Sequence, residues 1–122
     1  MKVLLAEDDE DQLMLRGMLL RQSGFETLEA RDVARAVQMA AEQKPKCAVI
    51  DLRLPTEETG LQLIRELKAL DATIHIFILT GADPGRFARF AEKDLVDEVV
   101  VKGSSSAYLI RQIKALAAEG PG

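Results

Sequence analysis

The sequence predicts a doubly wound α/β fold, with five parallel strands in one sheet and helices covering both of its faces. Two observations carry this. Apolar runs rich in β-branched residues alternate with stretches of helical periodicity, five times over in strict βα order. Most of the runs are nearly continuous in apolar residues, as strands buried on both faces are. The length fits: 122 residues, 48% of them apolar, suffice for one packed domain and are too few for two. Right-handed crossovers then place the helices on the two faces.

Residues 3–6 form the first short apolar strand, followed by the acidic run Glu7-Asp8-Asp9-Glu10-Asp11. Leu13, Gly17 and Leu20 share one face of the first helix, flanked by Met14 and Met18, and Ser23-Gly24 ends it, with glycine as the left-handed cap. Residues 25–29 alternate apolar and polar, a strand near an edge. Asp32 is the expected N-cap of a helix carrying Val33, Ala36, Val37 and Ala40, closed by Lys44-Pro45. The run Ala48-Val49-Ile50 is the third strand and ends in Asp51. A polar loop at 55–59 precedes Gly60, which is expected to open a helix bearing Leu63, Ile64 and Leu67. Residues 73–79 form the fourth strand, interrupted by His75, and the turn-rich segment 80–85 follows it. Phe87, Phe90 and Ala91 mark a short helix, and 96–101 is the fifth strand. Ser104 to Ser106 offer N-caps for a last helix with Leu109, Ile113 and Leu116 on one side.

Composition excludes several classes of function. The net charge of −4 argues against non-specific binding of nucleic acid or membrane by this segment. One cysteine, Cys47, permits neither an internal disulfide nor a CxxC metal site, and reads as a small buried strand residue. The apolar start, 1–6, is too short for a signal peptide or a membrane span, so a cytoplasmic location is expected. No Walker A or dinucleotide-binding glycine motif occurs.

The chemistry gathers at the strand ends. Glu7 and Asp8 follow the first strand, Asp51 the third, Thr80 the fourth and Lys102 the fifth. Parallel strands bring all of these to one rim, where ligands bind in open α/β sheets. Three carboxylates there repel one another unless a cation sits among them, and hard oxygen ligands favour Mg²⁺. A carboxylate nucleophile, a metal, a hydroxyl donor and a lysine are together what aspartyl-phosphate formation needs. The plainer alternatives are a solvated acidic helix start, a turn threonine and an exposed lysine. Asp9, Glu10 and Asp11 are read as such a helix start, favoured by the dipole. His75 lies away from the rim and reads as structural.

With these residues in place, the chain resembles the receiver domain of two-component response regulators. The resemblance spans essentially the whole chain, through Leu5-Ala6-Glu7-Asp8-Asp9, Asp51-Leu52-Arg53-Leu54-Pro55, Leu79-Thr80-Gly81 and Val101-Lys102. It implies a flavodoxin-like sheet of order 2-1-3-4-5, with a receiver unit over 1–118 and a linker stub or frayed end at 119–122. It implies Asp51 as the phosphoacceptor, supplied by a sensor histidine kinase or a phosphotransfer protein. It further implies Asp8 as a direct Mg²⁺ ligand, Glu7 acting through water and Arg53 contributing its backbone carbonyl. Thr80 is then the hydroxyl that bonds the phosphoryl group, Lys102 its cation, and Gly81 the small residue that leaves it open to water.

Three positions depart from the family pattern. Gly103 stands where a proline, often cis, usually follows the lysine. Val99 replaces an aromatic residue whose rotation reports phosphorylation. The segment 55–60 is one residue longer than the common spacing. These affect the outgoing signal, which in the family leaves through the face of helix four, strand five and helix five toward a protein target or output domain. Arg86, Arg89 and Lys93 form an expected stripe on helix four, either a partner contact or a solvated charged face. A receiver-shaped interaction module that is never phosphorylated is the competing reading. An aspartyl phosphohydrolase is disfavoured, because haloacid-dehalogenase-like enzymes need an aspartate where Arg53 stands.

Overall fold

The computed structural model describes residues 1–81, 84–102 and 106–119. One sheet contains β1 (Lys2–Ala6), β2 (Glu26–Ala30), β3 (Cys47–Asp51), β4 (His75–Thr80) and β5 (Glu98–Val101). All pairings are parallel and the order is β2-β1-β3-β4-β5, as expected. The helices are α1 (Glu10–Gln22), α2 (Val33–Gln43), α3 (Glu57–Leu70), α4 (Pro84–Phe87) and α5 (Ser106–Glu119), with a 3₁₀ helix at Ala91–Leu95. None of these described helices is long and apolar enough to cross a membrane.

The strand pleat divides the core in two. Leu4, Ala48, Ile50, Ile76 and Ile78 face α2 and α3, meeting Ala36, Ala40, Leu63, Ile64 and Leu67. Val3, Leu5, Val49, Phe77 and Leu79 face α1 and α5, meeting Leu13, Leu20, Leu109, Ile113 and Leu116. Residues of opposite parity along each strand thus enter opposite layers, which is why the central runs are nearly continuous in apolar residues. All of β3 is buried, whereas the edge strand β2 is only partly covered.

Local signals account for most boundaries. Asp9 caps α1 by accepting from the Gln12 amide, and Gly24 follows its C-cap at φ +95, a conformation glycine adopts without a Cβ penalty. Asp32 caps α2 through the Arg35 amide, and Lys44 closes it in a left-handed conformation.

Three expectations need correction. First, α3 begins at Glu57, not at Gly60, because Thr56 and Thr59 form a reciprocal capping box. Gly60 instead permits a close approach between elements. A Cβ there would lie 2.7 Å from the Leu52 carbonyl carbon, so only glycine lets α3 pack on the loop after β3. Second, the fourth helix is a single turn. It ends at Phe87, a turn follows, and Phe90 is extended, with its ring meeting Phe87 edge to face at a centroid distance of 5.5 Å. The stripe Arg86, Arg89, Lys93 therefore does not exist as one helical face. Third, β5 starts at Glu98 because Asp97 caps the strand edge: its amide donates to Ile76 O (2.9 Å) and its carboxylate accepts from Ile76 N (2.8 Å). Helix α5 runs through Glu119, one residue into the expected stub. Gly103 and the N-cap candidates Ser104 and Ser105 lie outside the described residues.

Candidate functional site

The site lies where β1, β3, β4 and β5 end. Asp51 closes β3 and is buried, since its strand is covered on both faces up to that residue. Its carboxylate has three close partners. Lys102 Nζ donates to Oδ2 at 2.6 Å, the Arg53 amide donates to Oδ1 at 3.1 Å, and Glu7 approaches from the end of β1. Lys102 is aimed inward by its own amide, which donates to Thr80 O at 2.7 Å and so ties the end of β5 to that of β4.

Glu7, Asp8 and Asp51 each present a carboxylate oxygen within 4.8 Å of the others. Glu7 is almost wholly buried, at 1% exposure. Burial, a hydrogen bond with Asp51 and the Asp51 charge push Glu7 up to about 8. Burial also works to raise Asp51, but the Glu7 and Lys102 hydrogen bonds and the Lys102 charge prevail and hold it below the usual carboxylate range. The two carboxyls are thus pushed apart, Glu7 toward holding a proton and Asp51 toward the charged form. The repulsion expected among three carboxylates is relieved by that proton and by Lys102. Arg16, on α1, adds a contact to Glu7 Oε2 at 3.3 Å. With Glu7 neutral this is a charge-to-neutral hydrogen bond, and it becomes an ion pair when the proton leaves.

The donor set fits a hard divalent cation. Three carboxylate oxygens this close suit Mg²⁺, whose ligands stand about 2.1 Å from the ion and which usually retains waters. Beside them opens a cavity of about 370 Å³ lined by Asp51, Arg53, Thr80, Gly81 and Lys102. A Cβ at Gly81 would meet nothing within 4 Å, so this wall is open. Every residue singled out at the rim thus borders one of two adjoining pockets, which share Asp51, Arg53 and Lys102 as common wall.

Most other readings fall outside these pockets. Cys47 is fully buried, and burial pushes its thiol up to about 12. His75 is partly exposed, 3.8 Å from Asp97, at the opposite end of β4. Asp11 lies in the first turn of α1, whereas Asp9 does two things: it caps α1, and it borders the pocket, where its amide donates to Glu7 Oε1 at 3.3 Å. Val99, in β5, packs partly buried against the α2–α3 layer and leaves no aromatic ring there to rotate. Sequence reasoning missed Arg16 altogether and put Arg86 on a charged helical stripe, not at the cavity. Arg16 reaches Glu7 from two turns into α1, and Arg86 lines the Asp51 cavity while ion-paired to Glu57. Neither has a sequence signal, because each is brought in by packing between elements.

Known proteins with this architecture are numerous. A family profile described as the response regulator receiver domain matches residues 3–114. The transcriptional regulatory protein PrrA of Mycobacterium tuberculosis is 32% identical over 94% of this chain and 49% of its own length. The polar-differentiation response regulator DivK of Brucella anthropi is 31% identical over 91% of this chain and 84% of its own. The chain thus spans about half the length of the mycobacterial relatives and most of DivK. A Francisella response regulator receiver domain superposes with a TM-score of 0.85 over 97% of both chains at 24% identity, a likeness of fold. With the family profile running from β1 into α5, this chain belongs to the response regulator receiver domain family.

Proposed function

We propose that this domain accepts a phosphoryl group on Asp51 from a phosphohistidine and passes the resulting change of state to a partner. The observation that carries the reading is the Asp51 carboxylate, kept ionised inside a buried pocket by Lys102 at 2.6 Å, with Glu7 and Asp8 within 4.8 Å. A carboxylate held charged at neutral pH is a competent nucleophile, and the open wall at Gly81 leaves a path to it.

In the forward step an Asp51 oxygen attacks phosphorus. The O–P bond forms as the P–N bond to the donor imidazole breaks, and the imidazole nitrogen leaves with the electron pair and takes up a proton. Lys102 and the Thr80 hydroxyl border the cavity in which the phosphoryl oxygens come to lie, where fixed donors stabilise developing charge. Mg²⁺ held by Asp8, Asp51 and the Arg53 carbonyl, with Glu7 through water, would neutralise phosphoryl charge. In the reverse step water attacks phosphorus and Asp51 departs as a carboxylate, releasing inorganic phosphate. The domain catalyses only these steps on itself, which makes it a signalling domain and not an enzyme acting on a separate substrate.

The phosphodonor is a sensor histidine kinase or a phosphotransfer protein, which puts the domain in the cytoplasm. The receiver unit covers 1–118, and a protein target or an output domain reads its state, as the transcriptional relatives suggest. With α4 reduced to one turn and Val99 in β5, the α4–β5–α5 face lacks the usual reporter.

Incubation with a small-molecule phosphodonor and Mg²⁺, followed by intact mass measurement, tests the reading. One added phosphoryl group, absent in Asp51→Asn and without Mg²⁺, is expected. No adduct, or an adduct that survives Asp51→Asn, overturns it in favour of a receiver-shaped interaction module.

A further inference from the structure

The phosphoacceptor cavity has a second cationic wall that the family resemblance does not assign. Arg86, the third residue of α4, lines the cavity together with Asp51, Thr80 and Lys102. Its guanidinium is engaged elsewhere, in a bidentate pair with Glu57 in the first turn of α3: Nη1 lies 2.5 Å from Oε2 and Nη2 lies 2.8 Å from Oε1. Glu57 borders the same cavity. The ion pair therefore forms part of the pocket wall and ties the one-turn helix α4 to α3. It is half-exposed at Arg86, so solvent screens it and its net hold is weak.

The geometry points to Arg86 as a phosphoryl-binding residue held in reserve by Glu57: on phosphorylation of Asp51, Arg86 exchanges the Glu57 carboxylate for a phosphoryl oxygen. The inference rests on the phosphoacceptor reading above. Three considerations support it. A phosphoryl group carries nearly two negative charges and three acceptor oxygens against the single charge of Glu57, so it competes well for a planar fork of donors. The three oxygens accept more hydrogen bonds than Thr80 and Lys102 supply. And α4 is only four residues long, followed by an extended Phe90, so Arg86 can shift without carrying a long helix with it. Release of Glu57 then loosens the α3–α4 contact, while Phe90, whose ring lies 5.9 Å from the Arg86 guanidinium carbon, feels the departure of its cation. In a domain without an aromatic at Val99, this exchange supplies a route from Asp51 to the surface.

The test is the affinity for beryllofluoride, a phosphoryl mimic, at saturating Mg²⁺, measured on the intact chain. Four proteins are compared: the wild type, Arg86→Gln, Glu57→Gln and the double variant. Exchange requires effects of opposite sign. Arg86→Gln weakens binding by about tenfold, from the loss of a charge-assisted donor pair. Glu57→Gln frees Arg86 and tightens binding by roughly threefold, and the double variant matches Arg86→Gln alone. If both single variants weaken binding, the pair is a structural clamp and the inference fails. If Arg86→Gln stays within about twofold of wild type, or the gain from Glu57→Gln persists without Arg86, it fails as well. Absence of binding by the wild type overturns the phosphoacceptor reading and this inference with it, whereas normal wild-type binding with unchanged variants overturns the inference alone. Thermal unfolding of each variant identifies any that do not fold, and Arg86→Lys, which keeps the charge but loses the fork, is expected to recover only part of the affinity.

Discussion

Gly60→Ala tests the packing that places the loop after Asp51, because two well-defined effects oppose each other there. Gly60 is the fourth residue of α3, inside the first turn. By helix propensity alone, alanine should stabilise the domain by about 1 kcal/mol. The new Cβ, however, would lie 2.7 Å from the Leu52 carbonyl carbon and 3.1 Å from its Cα, and closer still to the carbonyl oxygen. Carbon contacts relax only near about 3.5–4.0 Å, so α3 and the loop must separate by roughly 1 Å. The obstacle is backbone, which cannot swing aside, and it is anchored because the Leu52 amide donates to Leu79 O at 2.9 Å. Overpacking of this kind costs about 1–3 kcal/mol, and the rigid neighbour argues for the upper end. The expected net result is a destabilisation of about 2 kcal/mol, or roughly 8 °C in Tm for a domain of this size. Urea unfolding with a shared m-value checks it. Gly81→Ala is the control: its Cβ meets nothing within 4 Å, so stability should stay within about 0.5 kcal/mol. Unchanged or raised stability in Gly60→Ala would refute the claim that α3 sits on the Leu52 carbonyl.

Other outcomes follow from the same geometry. Because Glu7 is raised to about 8 from an ordinary 4.5, the folded metal-free domain holds a proton that the unfolded chain has lost anywhere between those values. The stabilising contribution of Glu7 is therefore full below pH 4.5 and declines as pH rises toward 8, and Glu7→Gln should flatten that decline in denaturation curves taken across the window. Asp51 is shifted the other way and acts below its ordinary 3.8, outside this window. Mg²⁺ binding at pH 7 should release about one proton, read by calorimetry in buffers of different ionisation enthalpy, and none in Glu7→Gln; zero release in the wild type would mean that Glu7 is already ionised. Gly81→Ala, neutral for stability, should lengthen the lifetime of the phosphorylated form by narrowing the path of water, seen in a time course of intact mass. Cys47, fully buried and shifted to about 12, should resist thiol reagents in the native state and react only at the rate of unfolding; fast labelling would contradict the tight β1–β3 pairing.

Fold class and rim chemistry were legible from the chain alone, for a physical reason: both depend on local order. A strand covered on both faces must be apolar throughout, so Ala48-Val49-Ile50 announces itself, and Asp51 stands out as the first residue that such burial does not explain. Parallel strands end on one side, so Glu7, Asp8, Thr80 and Lys102 converge with Asp51 without knowledge of any contact. The cap at Asp32 and the turn at Gly24 were equally local, whereas the acidic helix start at 9–11 showed Asp9 as the cap only in the structure. Only the tertiary structure decided what depends on distance between elements. It pushed Glu7 toward the protonated form, because burial and Asp51 together set that balance. It gave Gly60 its purpose against Leu52, held α4 to one turn, and turned Arg86 from an expected stripe toward Glu57 on the wall of the pocket. Periodicity sees one helix at a time, whereas these features arise between neighbours far apart in sequence.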